Sequence, residues 1–498
     1  MFSPSLEEVK EIAENKEYKR IPISYELFSD IATPIEVLRI LKCISKHAYM
    51  LESVEDSQKW GRYTFLGFNP LLEFTCQNGI VKIRGDADFE GLTDDEITIE
   101  TDNPSEIIKD LISKNKSPKL NYLPPFTGGF VGYFAYDYIK YSEPSLNLDA
   151  ENQDQFKDID LMLFDKVIAF DNFKQKIILI TNMKTDDVEG NYERACDDLM
   201  EMADLIKHGK KIEIEPLKLK SDFKPAFSRE RFCNMVDKAK SYIYEGDIFQ
   251  VVLSNRIEAD IEGSLFDTYR VLRTTNPSPY MFYFSSNDIE IAGASPETLV
   301  KLTDNRLYTF PLAGTRPRGK TEEEDLMLEE DLLSDEKELA EHNMLVDLGR
   351  NDIGRIAEIG SVHVDKYLSI ERFSHVMHIG STVSGQLRSD LHPLSAIDSI
   401  LPAGTLSGAP KIRACEIINE LEDNKRGIYG GAIGYVDLSG NIDTCISIRI
   451  AFARNNKVFI RSGAGIVADS VPDKEFEECL NKAAAVINAL KIADGGLE

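Results

Sequence analysis

The chain has 498 residues, 42% hydrophobic and 29% charged, which exceeds one ordinary core and predicts two domains or two large lobes. Its formal net charge of −28 argues against nucleic acid or an anionic membrane surface as partner, so any anionic ligand must be held by local cations, backbone N–H groups or a metal. Seven scattered cysteines without CxxC spacing read as reduced thiols; the acidic N-terminus lacks the apolar core of a signal or transit peptide, and no run approaches a membrane span. A cytoplasmic location is the expectation.

Residues 1–16 read as a short amphipathic helix, followed by an extended IPISYEL and a helix from Thr33 to Ser45. HAYMLESV (His47–Val54), Arg62–Leu66 and Leu71–Cys76 read as strands. Asn103 caps a helix to Asn115 with Pro104 in its first turn, and GGFVGYFAYDY (Gly128–Tyr138) suits a buried strand whose glycines admit a second backbone. Polar, aperiodic Tyr141–Asp158 is a loop, Ile159–Asn182 predicts two strands, and Asp187–Lys207 a helix. The Lys- and Glu-rich 208–227, with two prolines, predicts a boundary between lobes at 1–210 and 228–498. Beyond Ser228 come a helix to Glu245, the strand GDIFQVVLSNRIEA and β segments broken by glycine-rich turns; function is expected after Gly246.

Chemistry-bearing residues concentrate there. SDEKELAEHN opens a helix at Ser334–Glu336 and sets Glu338 and Glu341 on one side of it. DSVPDKEFEE, with Pro472 in a first turn, does the same for Glu475 and Glu478. Convergence of the pairs would make a hard-oxygen cage suited to Mg²⁺; an ExxE pair alone in an acidic protein is more often a solvated face than a site. Glu297 follows Pro296 at a turn between strands. In PLAGTRPRG the glycines admit a ligand, and Arg316 and Arg318 suit a carboxylate. Strand alternation in SHVMHIGSTVSG sets His378 opposite Met377. PAGTLSGAPKIRA turns into a helix whose free N–H groups, with Thr405 and Ser407, suit an anion, but it lacks the end of a Walker loop. Arg449, a charge in the apolar ISIRIAFA, is expected to have a carboxylate partner.

In their order and spacing GDIFQVVLSNR, SPE, PLAGTRPRG, AEHNMLVDLGRND, SHVMH, PAGTLSGAPK, YGGAIGY and GAGIVADSVPDKEFEE resemble the chorismate-utilising enzymes, from Ser228 to Leu490 and more weakly before it. The resemblance implies an α+β fold of two interleaved lobes, facing β-sheets inside and helices outside. Relatives that add water carry a lysine where Gln250 stands, and those that aminate C4 carry one where Ala313 stands. Amination of chorismate at C2 by ammonia, then loss of pyruvate to give anthranilate, is the implied activity. Alternatives are an enzyme releasing an aminodeoxychorismate and, from another functional class, a chorismate or tryptophan sensor.

By resemblance Glu338, Glu341, Glu475 and Glu478 hold Mg²⁺, Glu341 and Glu478 most directly. Glu297 protonates the departing hydroxyl and His378 assists. Tyr429, Arg449 and the backbone at Gly463 and Gly465 hold the enolpyruvyl carboxylate, and Gly314, Thr315 and Thr405 line the remainder. MLES (Met50–Ser53, Met50 replacing the usual leucine) and NPSPYM resemble a tryptophan feedback site made by Ser53, Pro279, Tyr280 and Met281 with Tyr435 nearby. A separate glutamine amidotransferase subunit supplying ammonia, hence a hetero-oligomer, is expected.

Overall fold

Strand alternation decides the layering. In the computed structural model, which describes residues 2–53, 61–85, 96–152, 154–372 and 376–497, strand Ala48–Glu52 sends Tyr49 and Leu51 one way and Ala48 and Met50 the other. Val54, Ser374 and His375 of the expected strands lie outside the described residues. Two sheets, of 14 and 12 strands and antiparallel in every ladder, face each other. Between them lies an aromatic core of Tyr49, Phe65, Phe282 and Phe452 from one sheet and Tyr133, Phe164, Ile433 and Tyr435 from the other.

Helices cover both outer faces. Pro34–Ile44, Val188–His208, Phe266–Thr275 and Pro472–Ala493 bury apolar stripes on the larger sheet. Pro104–Ser113, Glu336–Gly354 and Ser395–Ile400 do so on the smaller. The fold is α+β, with sheets inside and helices outside. Among the described residues no helix is long and apolar enough to cross a membrane.

Both sheets draw strands from both halves of the chain. In the larger, Ala48–Glu52 pairs with Tyr280–Ser285, Glu52 opposite Met281. In the smaller, Gly129–Phe134 pairs with Ala432–Asp437, Gly132 opposite Gly434. These glycines admit neighbouring backbone: a Cβ would stand 2.0 Å from the Asp160 carbonyl oxygen at Gly132 and 2.1 Å from that of Asp443 at Gly434.

Local departures from expectation have simple causes. Ile159–Lys184 makes three strands, Ile159–Phe164, Lys166–Asp171 and Lys176–Lys184, because Asp165 bends an otherwise continuous apolar run. The helix with the first glutamate pair is capped by Asp335, whose carboxylate accepts from Lys337 N (3.1 Å) and Glu338 N (3.3 Å), while Ser334 ends the preceding helix. Gly434→Ala is expected to lower folding stability by about 3 kcal/mol through overpacking against the Asp443 carbonyl, read as a lower denaturation midpoint.

Candidate active site

The catalytic half is tied together by a carboxylate wholly inside it. Glu422, at the end of helix Lys411–Glu422, accepts from Ser254 N (2.8 Å) and Oγ (2.9 Å), Arg426 Nε (2.9 Å) and Arg461 Nη2 (2.5 Å). Arg426 also donates to the carbonyls of Leu406 and Val252, both at 2.6 Å, and Arg461 to that of Lys425 at 3.0 Å. Burial opposes ionisation of Glu422, but the two guanidinium charges outweigh it and hold its pKa below the ordinary value. The loop with Thr405, strand Lys457–Ile466 with Gly463 and Gly465, and Tyr429, whose ring lies 5.9 Å from Arg426, are thereby fixed to one point.

Above this floor lie Glu297, Thr405, His378 and Arg449. Thr405 Oγ1 donates to Glu297 Oε1 at 3.1 Å. Glu297 is open to solvent along one edge but otherwise ringed by protein, and this desolvation pushes its carboxyl up to about 7, against the lowering effects of Thr405, Lys482 and Arg449. His378 Nδ1 donates to the Gly314 carbonyl at 2.7 Å, with Thr315 Oγ1 at 3.2 Å. A carbonyl only accepts, so the proton sits on Nδ1 and Nε2 is the basic nitrogen. Burial, then the charge of Arg449, keeps this imidazole below its ordinary pKa, the Gly314 bond notwithstanding. As alternation requires, Met377 is buried while His378 faces the site.

Arg449 corrects an expectation. It lies between strands Ile442–Ile446 and Ile450–Arg454, at φ 52°, and among the described residues no carboxylate comes within ion-pair distance of it. Left-handed backbone at a non-glycine costs on the order of 1 kcal/mol, and the Arg449 charge acts on both Glu297 and His378. Arg316 and Arg318 do meet carboxylates, those of the chain's own acidic helices: Arg316 binds Asp331 (2.7 Å) and Asp335 (3.0 Å), and Arg318 binds Asp325 (2.6 Å). Ser407 is buried, donating to the Ala403 carbonyl at 2.8 Å, so of that loop's two hydroxyls only Thr405 reaches the site.

The two glutamate pairs approach each other across this site. Burial raises Glu341, and the neighbouring charges of Glu338 and Glu478, one from each helix, raise it further. Burial and Glu478 likewise raise Glu475, although Ser470 donates to it. Among the described residues no three acidic, histidine or cysteine side chains stand close enough to hold a metal as they are. Lys482, one turn beyond Glu478, instead binds Glu478 Oε1 at 2.6 Å and the Gly463 carbonyl at 3.2 Å, and Arg316 Nη1 lies 3.6 Å from Glu338. Glu341 and Glu475, held above their ordinary pKa by burial and by neighbouring carboxylates, are hard oxygen donors of the kind whose crowding a divalent cation relieves.

The remaining residues line the same space. A Cβ at Gly314 would stand 3.2 Å from Glu338 Oε2, at Gly463 3.0 Å from Tyr429 Oη, and at Gly465 2.7 Å from Gln250 Nε2, so each glycine is the neighbour of another site residue. Ala313, paired with Ile379, presents only a methyl group. Elsewhere, where the two halves of the larger sheet meet, Ser53 follows Glu52, which faces Met281, and the buried Ser53 Oγ has no hydrogen-bond partner among the described residues. Pro279 leads into Tyr280, whose hydroxyl donates to Asp443 at 2.8 Å, and Tyr435 pairs with Asp443 in the opposite sheet.

Lys482 and the Glu422 network were absent from the sequence expectations; Arg461 inside the apolar KVFIRSGAGI was the available signal. Glu422→Gln is expected to lower stability by about 4 kcal/mol, since it leaves two guanidinium groups buried without their anion, and to reduce turnover in whatever folds; chemical denaturation measures the first effect.

A family model for chorismate binding enzymes matches residues 47–488. Anthranilate synthase component 1 of Acetivibrio thermocellus is 46% identical and that of Aquifex aeolicus 45% identical, each alignment covering 99% of both chains. The crystal structure of anthranilate synthase component I from Streptococcus pneumoniae superposes with a TM-score of 0.73 at 37% identity, over 92% of this chain and 98% of that one. The menaquinone-specific isochorismate synthase of Escherichia coli, at 18% identity and a TM-score of 0.68 over 97% of this chain and 98% of that one, shares the fold. By the extent of these matches, the chain belongs to the chorismate binding enzyme family.

Proposed function

We propose that this chain converts chorismate and ammonia to anthranilate and pyruvate, as the ammonia-using component of an anthranilate synthase. The observation that carries this reading is a carboxyl poised near neutrality, Glu297, beside Arg449, a guanidinium that among the described residues has no carboxylate within ion-pair distance. A dianion such as chorismate supplies the missing negative charge. Arg449, Tyr429 Oη and the backbone N–H at Gly465 bind its enolpyruvyl carboxylate. Gly314 and Thr315 line the ring, and Thr405 aims Glu297.

The protonated fraction of Glu297 gives its proton to the 4-hydroxyl as ammonia adds at C2, so water leaves as the C–N bond forms. Neutral His378 then takes the C2 proton at Nε2 as the C3–O bond breaks and the ring becomes aromatic, and the released enolpyruvate gains a proton at its methylene carbon to become pyruvate. Gln250 is no base for water, and Ala313 offers no amine for an adduct at C4; both favour ammonia at C2. Mg²⁺ bound by Glu338, Glu341, Glu475 and Glu478 would neutralise the ring carboxylate as a Lewis acid. Ammonia from a glutamine amidotransferase subunit and feedback inhibition by L-tryptophan at Ser53, Pro279, Tyr280, Met281 and Tyr435 complete the reading. The relatives' designation as component 1 supports the first, and the Ser53 hydroxyl, buried without a partner among the described residues, supports the second.

Incubated with chorismate, Mg²⁺ and ammonium salt, the isolated chain should release pyruvate and fluorescent anthranilate; an aminated product that retains the enolpyruvyl group refutes the assignment. With rates corrected for the NH₃ fraction, kcat should fall as pH rises through about 7, because the acid form of Glu297 is lost. Glu297→Gln should remove that limb and lower kcat by about 10² to 10⁴. Ser53→Leu should leave turnover intact and abolish inhibition by tryptophan; inhibition at the wild-type concentration would count against that site.

A further inference from the structure

The effector elements do not merely share a sheet with the catalytic acid. Tyr280 pairs with Ser295, and Ser295 is the near end of the Ser295-Pro296-Glu297 corner. The Ser295 hydroxyl donates to the Ile446 carbonyl at 2.7 Å and accepts from Glu297 N at 3.4 Å, while Ile446 N donates to the Glu297 carbonyl at 2.9 Å. On the far side of the corner Thr298 is buried, its Oγ1 2.9 Å from Tyr280 Oη. The phenol has one proton, which goes to Asp443 at 2.8 Å, so Thr298 is the donor in its bond with Tyr280. The ladder between the Thr298 and Ile442 strands shifts register between Thr298 and Val300, leaving the corner held less regularly on that side. Glu297 is thus suspended between two attachments to one tyrosine, through the backbone at Ser295 and through a hydroxyl at Thr298.

We propose that the Tyr280–Thr298 hydrogen bond is the link by which the amino-acid effector acts on the catalytic acid: occupancy at Ser53, Tyr280 and Met281 displaces the Tyr280 ring, and Thr298 carries that displacement to Glu297, drawing its carboxyl off Thr405. The inference rests on the tryptophan reading of the effector site. It requires that the effector bind the displaced arrangement more tightly, since inhibition at a distance is a difference in affinity between two arrangements. Thr298 contacts neither ligand in this scheme, so it is a positioning residue, and breaking the link should separate binding from inhibition.

The test compares tryptophan Kd by calorimetry with the half-inhibitory concentration for anthranilate formation, at a fixed chorismate concentration in multiples of its KM, in wild type, Thr298→Val and Thr298→Ser. Thr298→Val should keep Kd within about threefold of wild type while the half-inhibitory concentration rises at least tenfold relative to Kd; Thr298→Ser, which retains the hydroxyl, should restore the wild-type ratio. Tyr280→Phe removes the same bond from the other side and must raise that ratio too, which keeps the test decisive should Thr298→Val fold poorly. An unchanged ratio in both variants that break the bond overturns the link. Absence of tryptophan binding to wild type overturns the effector reading, and the link with it.

Discussion

The catalytic half depends on one buried anion between two buried cations. Glu422 alone would be expelled from such an interior, and Arg426 or Arg461 alone would be equally costly; together, with Ser254 and three backbone carbonyls filling their remaining positions, they form a closed polar knot. Such a knot adds little net stability over a well-packed apolar cluster, but it has one satisfactory arrangement. It therefore specifies how the Thr405 loop, the Gly463–Gly465 strand and Tyr429 sit relative to one another, although these parts come from distant places in the chain.

The second constraint is the sharing of both sheets by both halves. Strands Ala48–Glu52 and Gly129–Phe134 complete sheets in which they pair with strands from beyond residue 228, so the N-terminal half is structurally part of the catalytic one. Gly132 and Gly434 face each other at the smaller seam, each leaving room for the backbone of the next strand in its own half, and the Glu52–Met281 register sets Ser53 beside the Tyr280–Met281 strand. A ligand held there touches strands that continue to the catalytic corner.

Much of this was legible in the sequence because it rests on local periodicity. The glutamate pairs three residues apart, the glycines of GGFVGYF, the opposed faces of Met377 and His378 and most helix limits follow from 3.6- and 2-residue repeats and from caps. Arg316 and Arg318 found carboxylates on the acidic helices beside them. Where expectation failed, the competing partner was distant or the backbone unusual. Arg449, at a left-handed position between two strands, has no carboxylate within ion-pair distance among the described residues, although the charge of Glu297 acts on it. Ser407 resembled a ligand-binding hydroxyl until burial assigned it to the Ala403 carbonyl.

The sequence by itself determined the element types, the acidic pairs and, through ordered motifs, the family, since these depend on neighbours within one turn or one strand. Only the tertiary structure decided the ionisation of the site. A carboxyl near pH 7 at Glu297, an imidazole held below its ordinary pKa at His378 and a desolvated guanidinium that feels the Glu297 charge at Arg449 are products of desolvation and of charges many residues away. The partial approach of Glu341 to Glu478, with Lys482 between the second pair and the Gly463 strand, belongs to the same class: residue type supplies the charge, and packing decides what it faces.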